Sequence, residues 1–516
     1  MKQKKLAFVL LFVSMLFVAS AACAEQPKYV FFFLGDGMAN SQIQATEAYL
    51  TTLHGGSATL AADLQKPENR LNMCKMPIQG MQTTYDAHAL MTDSASAGTA
   101  FACGIKTLSG VIGMDENKTI SYKSIAQLAH ERGKKVGIIT SVSLDHATPA
   151  SYYASVPNRG YMNNVATQLA ESGYEFFGGG GLVSPEKEDR TGDTNNNVWS
   201  ILAANGYTVL QNRADIKALL YRPKNKVVCI NPWLQDSSAM PYDIDRRFKE
   251  EQDPTDPNRN LSLAEMTEVA IQDLDRMKGR HDKGFFLMVE GGKIDWACHA
   301  NDAMAAVGDM IDFDNAIGVA LNFYRKHPAQ TLIVVTGDHE TGGMTIGHAT
   351  TAYTAYYDRL LGQKNSFTYF DQVQLPEHVQ SHPCTDPSLP NNLESDTDMI
   401  NLMSTVFGLT WADLNDYQKA KLEDAYDKTV CGSNDNLKAE NDLLYGSYDP
   451  LTVTITHILN ERASIGWTSY SHTGVPVPVY AQGVDSTLFS GFYDNTDIAK
   501  RLARAMDIRQ RLPVEK

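Results

Sequence analysis

Cysteine is scarce and never paired at short range. The 516-residue chain has seven, none in a C-x-x-C arrangement, which argues against a thiolate zinc site. Basic charge is also short. Against 60 acidic side chains stand 45 basic ones, a formal net charge of −15. The chain therefore lacks the positive footprint of a nucleic-acid binder and is disfavoured at anionic membrane surfaces. A bound cation can outweigh that field locally, so an anionic substrate stays permitted. Beyond residue 18 no apolar run is long enough to cross a bilayer, which takes about 20 residues. Internal repeats, low-complexity tracts and charge blocks are missing too. So are a G-x-S-x-G serine elbow and a C-x-P-x-R motif. What is present is ordinary: 43% hydrophobic and 20% charged residues, enough chain to bury a large core.

The first segment reads as an address. Lys2, Lys4 and Lys5 precede the apolar stretch Leu6–Val18, and Ala22-Cys23-Ala24 fits a small-x-small cleavage site. We expect a signal peptide over residues 1–24, cleaved after Ala24, and a periplasmic or secreted product. Lipid attachment at Cys23 is the lesser alternative, because Ser20 occupies the lipobox position usually held by Leu. Export makes disulfides permissible. Cys384 and Cys431 share one irregular C-terminal region and are the best candidate pair, with buried free thiols as the alternative.

Short apolar runs ending in glycine alternate with helical patterns. Tyr29–Leu34 leads into Gly35-Asp36-Gly37. Phe285–Val289 leads into Glu290-Gly291-Gly292, Thr331–Thr336 into Gly337-Asp338-His339, and Val136–Thr140 is a further run. Helical periodicity covers Ser124–Arg132, Ala303–Tyr324 and Asn495–Ile508. Unbroken apolar strands separated by helices predict an α/β fold: a large, mostly parallel central sheet with helices on both faces. Residues around 183–262 and 350–462 break this rhythm and read as insertions on one core. A helical piece lies near Leu414–Thr429.

Polar residues collect at the strand ends. Asp36, Glu290, Asp338 and His339 each follow an apolar run, where open α/β sheets bind ligands. Carboxylates converging there repel one another unless cations lie between them. In Ile294–His299, Asp295 and His299 are four residues apart and share a helix face, a spacing suited to one metal. A mixed Asp/His set suits zinc. His472 occupies a comparable setting, whereas, His146 apart, the other histidines, His378 and His382 among them, read as ordinary polar positions. In Met91–Ala100 small residues crowd a helix start, with Asp93 or Ser94 as its cap. At such an N-terminus Ser94 would meet free N–H groups that favour an alkoxide and bind phosphate. Lacking an elbow motif, it would need a metal to activate it.

These segments resemble the alkaline phosphatases. The match rests on Gly35-Asp36-Gly37-Met38, Thr92-Asp93-Ser94-Ala95, Gly104–Thr107, His146–Pro149, Asn158-Arg159, Val289-Glu290-Gly291, Ile294-Asp295 with His299, Thr336–His339 and Ser471–Gly474, in that order. The resemblance implies one catalytic domain over residues 25–516. It makes Ser94 the nucleophile, forming a phosphoserine, and Arg159 the phosphate clamp. It assigns one zinc to Asp295, His299 and His472, and a second to Asp36, Asp338 and His339. Asp36, Thr148 and Glu290 would hold one magnesium. Phosphate monoesters are the implied substrates and a homodimer the implied assembly. Two positions depart from the best-known bacterial pattern: His146 replaces an Asp near the magnesium, and Trp296 replaces Lys or His. Phosphodiesterase relatives usually use Thr as nucleophile and lack the magnesium set, so Ser94, Thr148 and Glu290 favour the monoesterase. A binding protein without turnover is the non-enzymatic alternative, disfavoured because the nucleophile, Arg159 and every expected ligand are intact. The long spacing between His339 and His472 suggests a crown or lid over the site.

Overall fold

The computed structural model describes residues 26–186, 192–277, 282–384 and 393–516. The leader expected at residues 1–24 lies outside them. Ten strands build one sheet: β1 (Tyr29–Gly35), β2 (Ile78–Gln82), β3 (Lys135–Thr140), β4 (Phe176–Gly179), β5 (Thr208–Leu210), β6 (Val227–Ile230), β7 (Phe285–Gly291), β8 (Thr331–Gly337), β9 (Val477–Gly483) and β10 (Gly491–Tyr493). Their order is β10-β2-β9-β8-β1-β7-β3-β4-β6-β5. Only β9 runs against its neighbours, β8 and β2. The expected mostly parallel α/β sheet is therefore present, and the four apolar runs read from the sequence are its central strands β8, β1, β7 and β3.

Alternation along these strands feeds two cores. Phe31, Phe33, Leu287, Val289, Ile333 and Val335 face one side. There they pack against α5 (Leu263–Arg276) and α7 (Ala303–Lys326). Val30, Phe32, Leu34, Ile138, Met288 and Val334 face the other. That side is covered by α2 (Ser94–Cys103), α3 (Ile125–Glu131) and α12 (Thr496–Ala505). Phe31, Phe32 and Phe33 are fully buried. Burying one such side chain contributes about 1.5–3 kcal/mol, so the two faces supply much of the fold's stability. The remaining labelled helices are α1 (Asn40–Leu53), α4 (Ala147–Ala150), α6 (Lys293–His299), α8 (Leu375–Ser381), α9 (Thr397–Phe407), α10 (Asp416–Cys431) and α11 (Pro450–Ala463). Ser124 caps α3 by accepting from the Gln127 N–H while Gln127 returns a bond to the Ser124 N–H, a reciprocal cap that sets the helix start. Cys384 and Cys431 form the expected disulfide, and Cys74, Cys103, Cys229 and Cys298 are free. Among the described residues no helix is long and apolar enough to cross a membrane.

Register decides what the sheet presents at its carboxyl edge. Gly35 pairs with Gly291 of β7 and Gly337 of β8, and Thr140 pairs with Glu290. The residues that follow or flank these positions therefore emerge side by side. Gly37 has φ +73°, and a Cβ there would sit 2.8 Å from the Asp295 Cα. Glycine thus permits both the turn after β1 and the close approach of α6.

Candidate active site

Two Asp/His triads adjoin at this edge. Asp295 and His299 share one face of α6, and His472 comes in from a short strand paired with Glu340-Thr341. The His299 Nε2 lies 3.3 Å from Asp295 Oδ2 and 3.0 Å from His472 Nε2, and His472 Nε2 is 3.5 Å from Asp295 Oδ1. In the second triad, His339 Nε2 is 3.3 Å from both Asp36 Oδ1 and Asp338 Oδ2. Neither contact is a hydrogen bond: His339 Nε2 and Asp338 Oδ2 are buried with no hydrogen-bond partner among the described residues. Zinc bonds of about 2.0 Å in a tetrahedron place neighbouring ligand atoms about 3.3 Å apart. The spacing is that of a cation's ligands. The His339 and His472 rings stack at 3.6 Å, so the triads share a wall.

Backbone carbonyls fix the histidine tautomers. His299 Nδ1 is 2.6 Å from the Tyr470 carbonyl and His472 Nδ1 is 2.7 Å from the Thr92 carbonyl. Each Nδ1 donates there, which turns Nε2 toward the carboxylates. Burial lowers the His299 pKa but Asp295 raises it to about 9, so a cation at Nε2 would take the place of that proton.

A third group meets at Asp36. Asp36, His146 and Glu290 offer ligand atoms within 4.8 Å of one another, and the Thr148 hydroxyl donates to Asp36 Oδ2 at 3.2 Å. Among the described residues Glu290 Oε1 has no hydrogen-bond partner, while Oε2 accepts from the Thr140 hydroxyl at 2.5 Å. Burial, reinforced by Asp338, Asp295 and Glu290, pushes Asp36 well above the ordinary carboxylate range. Burial chiefly lifts Glu290 to about 8 and Asp338 to about 7. Asp295 behaves oppositely: burial would raise it, but His299, His472 and His339 hold it well below. A buried site whose carboxylates resist ionisation is short of positive charge, and divalent cations remedy that shortage. These donor sets fit such ions.

Ser94 opens α2 beside this cluster. Asp93 caps the helix by accepting from the Ser96 N–H at 2.9 Å, and the Ser94 Oγ lies 3.5 Å from Asp36 Oδ1. Every residue of α2 is buried. A Cβ on Gly98 would stand 2.6 Å from the Ser151 Oγ, which explains the small residues: they let α2 lie against α4. Arg159 faces the same spot. Its Nη1 donates to Asp93 Oδ2 and its Nη2 contacts His146 Nε2, both at 2.9 Å. His146 packs edgewise on Trp296 at 5.8 Å. Burial, then the Arg159 charge, drives the His146 imidazole down to about 3, so it is neutral.

All thirteen residues singled out from the sequence fall in this one region. Other members came only from the structure. Thr341 donates to Asp295 Oδ1 and lies 3.2 Å from His339 Nδ1, linking the two triads. Glu340 anchors the loop by accepting from the Gln42 amide and the Gly343 and Met344 N–H groups. Lys293 is fully buried, its Nζ 3.6 Å from the Tyr242 ring centroid and 5.0 Å from that of Trp296. Thr341 and Glu340 directly follow Asp338-His339, a signal available in sequence. Nothing in the sequence brings Gln42 or Tyr242 to this place.

Comparison with known proteins returns one family throughout. The family model described as alkaline phosphatase matches residues 27–508. Alkaline phosphatase 3 of Bacillus subtilis (strain 168) is 31% identical over 436 residues, 83% of this chain and 80% of that protein. The Thermus thermophilus alkaline phosphatase structure superposes with a TM-score of 0.71 at 26% identity, covering 95% of this chain and 93% of that one. Histidine-to-glutamate and histidine-to-aspartate variants of the alkaline phosphatase from the Antarctic bacterium TAB5, each with magnesium bound in the M3 site, superpose with a TM-score of 0.59 at 25% identity. They cover 94% of this chain and 99% of theirs.

Proposed function

Because the chain belongs to the alkaline phosphatase family of metal-dependent phosphoric monoester hydrolases, we propose that Ser94 is its nucleophile and that the three groups meeting at Asp36 and Asp295 hold its cations. The observation that carries this reading is the Ser94 Oγ at 3.5 Å from Asp36 Oδ1, the carboxylate common to two ligand groups. Asp295, His299 and His472 would take one zinc, Asp36, Asp338 and His339 the other, and Asp36, Thr148 and Glu290 one magnesium. Bound there, the ions would lower the serine pKa, neutralise phosphoryl oxygens and stabilise the leaving alkoxide.

The chain's own residues do the rest. The N-terminus of α2 turns N–H groups and the positive end of the helix dipole toward the phosphoryl group. Ser94 Oγ gives up its proton to solvent and attacks phosphorus in line; the Oγ–P bond forms, the ester P–O bond breaks, and the alcohol leaves with a proton from solvent. Water then attacks the phosphoserine from the opposite side, releasing inorganic phosphate and restoring Ser94. Arg159 grips two phosphoryl oxygens with a planar fork that lysine cannot reproduce. Asp93 and His146 orient that fork, so they are positioning residues. Such a site holds the phosphate and leaves the alcohol portion outside, which favours many monoesters over one. The leader and the Cys384–Cys431 disulfide support export to an oxidising periplasmic or extracellular space. From the 350–462 segment Tyr448 packs on Tyr470 at 5.9 Å and His457 lies 2.9 Å from Asn301, beside α6, in keeping with a covering insertion. We take the active form to be a homodimer, on family grounds.

The deciding assay compares an aryl phosphate monoester with its diester at alkaline pH. Monoester hydrolysis is expected to be far faster. Equal or faster diester cleavage would reassign the chain to diesterase chemistry.

His146 makes the third cation site distinctive. A hard magnesium ion takes oxygen ligands, whereas here an imidazole nitrogen lies within 4.8 Å of Asp36 and Glu290 ligand atoms. The TAB5 variants show that a relative with an acidic residue in place of a histidine has magnesium in its M3 site. Here magnesium should be weaker and more exchangeable than zinc. His146→Asp together with Trp296→Lys is expected to tighten magnesium by about 10-fold or more and to slow phosphate release. Magnesium titrations after dialysis against a mild chelator, followed by activity and by bound metal, check this. An unchanged magnesium midpoint in the double variant contradicts it.

A further inference from the structure

A second His/Asp cluster lies in the 350–462 segment, outside the site described above. We propose that His378, His382 and Asp396 form a separate cation site of the zinc class, which braces this segment and takes no part in turnover.

The cluster is assembled from three helices. His378 lies in α8 and His382 caps its C-terminal end, four residues on. Their rings are nearly parallel, 8° apart, with centroids at 4.2 Å. Asp396 caps α9, its Oδ1 accepting from the Met399 N–H at 2.9 Å. Its other oxygen, Oδ2, lies 2.9 Å from His378 Nε2 and accepts the Tyr426 hydroxyl of α10 at 2.5 Å. Ligand atoms from the three residues fall within 4.8 Å of one another. Small rotations would bring them to the spacing of about 3.3 Å that zinc requires.

Each feature suits an ion better than a simple hydrogen bond. Two imidazoles and a carboxylate form a borderline donor set that zinc prefers to magnesium or calcium. Tyr426 and the Met399 N–H aim the carboxylate, as outer partners do around ligating groups. A hydrogen bond to His378 alone would not require a second imidazole stacked on the first. Asp398 Oδ2 stands 3.6 Å from His382 Nε2, adding negative charge beside the group. Among the described residues no lysine or arginine pairs with Asp396 or Asp398. An open cleft of about 350 Å3, lined by His382, Pro383, Asp396, Asp398 and Tyr426, gives an ion access.

Position indicates the role. Cys384, two residues beyond His382, is bonded to Cys431 at the end of α10, the helix that carries Tyr426. An ion here would join α8 to α9 at the same corner where the disulfide joins α8 to α10. A cross-link of that kind stabilises the folded segment by mass action.

The test uses full-length protein stripped of metal and reloaded with zinc and magnesium. His382 is partly exposed, with 38% of its side chain accessible, so His382→Gln leaves the core undisturbed. Elemental analysis is expected to find one zinc fewer per chain in His382→Gln than in wild type, with kcat unchanged and a smaller rise in Tm on zinc addition. Equal zinc in the two proteins would overturn the site and leave only a His378–Asp396 hydrogen bond. Should the variant not fold, a count on wild type decides: zinc beyond the ions needed for full activity supports the site, and none beyond that number overturns it.

Discussion

Replacing Ser94 by alanine is expected to lower kcat by at least about 10³-fold, the scale on which hydrolases lose rate when their nucleophile is removed. The reason is geometric. Ser94 Oγ is the hydroxyl that opens α2, and it stands 3.5 Å from the Asp36 carboxylate that two ligand groups share. The methyl of alanine keeps the helix packing, since every residue of α2 is buried and small side chains already fill it. Metal content should therefore match wild type. A residual rate should persist because Arg159 and the cations still bind the substrate and stabilise the transferring group. Two measurements check the claim: steady-state turnover of an aryl phosphate, and trapping of acid-stable phosphoenzyme, which should vanish in the variant. Near-wild-type turnover would remove Ser94 from the mechanism.

Asp36→Asn should have an effect of similar size through a different cause. Asp36 belongs to two of the three ligand groups, with Asp338 and His339 on one side and with His146 and Glu290 on the other. Losing its charge should release both ions while the Asp295–His299–His472 group keeps its own. We expect up to two ions fewer per chain and a fall in kcat of more than about 100-fold, beyond the range seen for outer partners of metal ligands. The metal-free proteins should rank the other way. Burial, then repulsion from Asp338, Asp295 and Glu290, raises the Asp36 pKa, so its ionised form opposes folding when no cation is present. A raised carboxylate means the folded state binds more protons than the unfolded state, and stability falls as pH rises past the unfolded value. Stripped Asp36→Asn should accordingly melt above stripped wild type at pH 8. The gap should close as the pH falls and the wild-type carboxylate takes up its proton. Metal counts together with melting curves at two pH values check both halves. If metal-free wild type is the more stable at pH 8, the charge argument fails.

Some of this protein could be read without coordinates. A parallel strand buried on both faces must be a continuous apolar run, so β1, β3, β7 and β8 were visible as YVFFFL, VGIIT, FFLMV and TLIVVT. The first polar residue after such a run emerges at the sheet edge, which made Asp36, Glu290, Asp338 and His339 legible together. Helical periodicity likewise placed Asp295 under His299. The outer strands escaped notice because they are short and broken. β2 contains Gly80, where a Cβ would lie 2.3 Å from the Phe489 carbonyl oxygen, and β9 reverses direction.

Tertiary structure decided what spacing along the chain cannot encode. The pairing of Gly35 with both Gly291 and Gly337 puts carboxylates some 250 to 300 residues apart onto one edge, and register depends on the whole sheet. Thr341 joins the two triads, Thr140 holds Glu290, and Asp93 serves at once as helix cap and as anchor for Arg159. The Asp93 cap is local and open to sequence reading, but its bond to Arg159 and the other pairings are made by elements that meet only after the sheet has formed. The His378–His382–Asp396 cluster shows the same limit. Its two histidines carry a helical spacing open to any reader, but the carboxylate and the tyrosine that give the spacing meaning arrive on other helices. Residue type and periodicity specify which groups are available and which way a strand or helix turns them. Long-range packing alone determines which of those groups come within bonding distance.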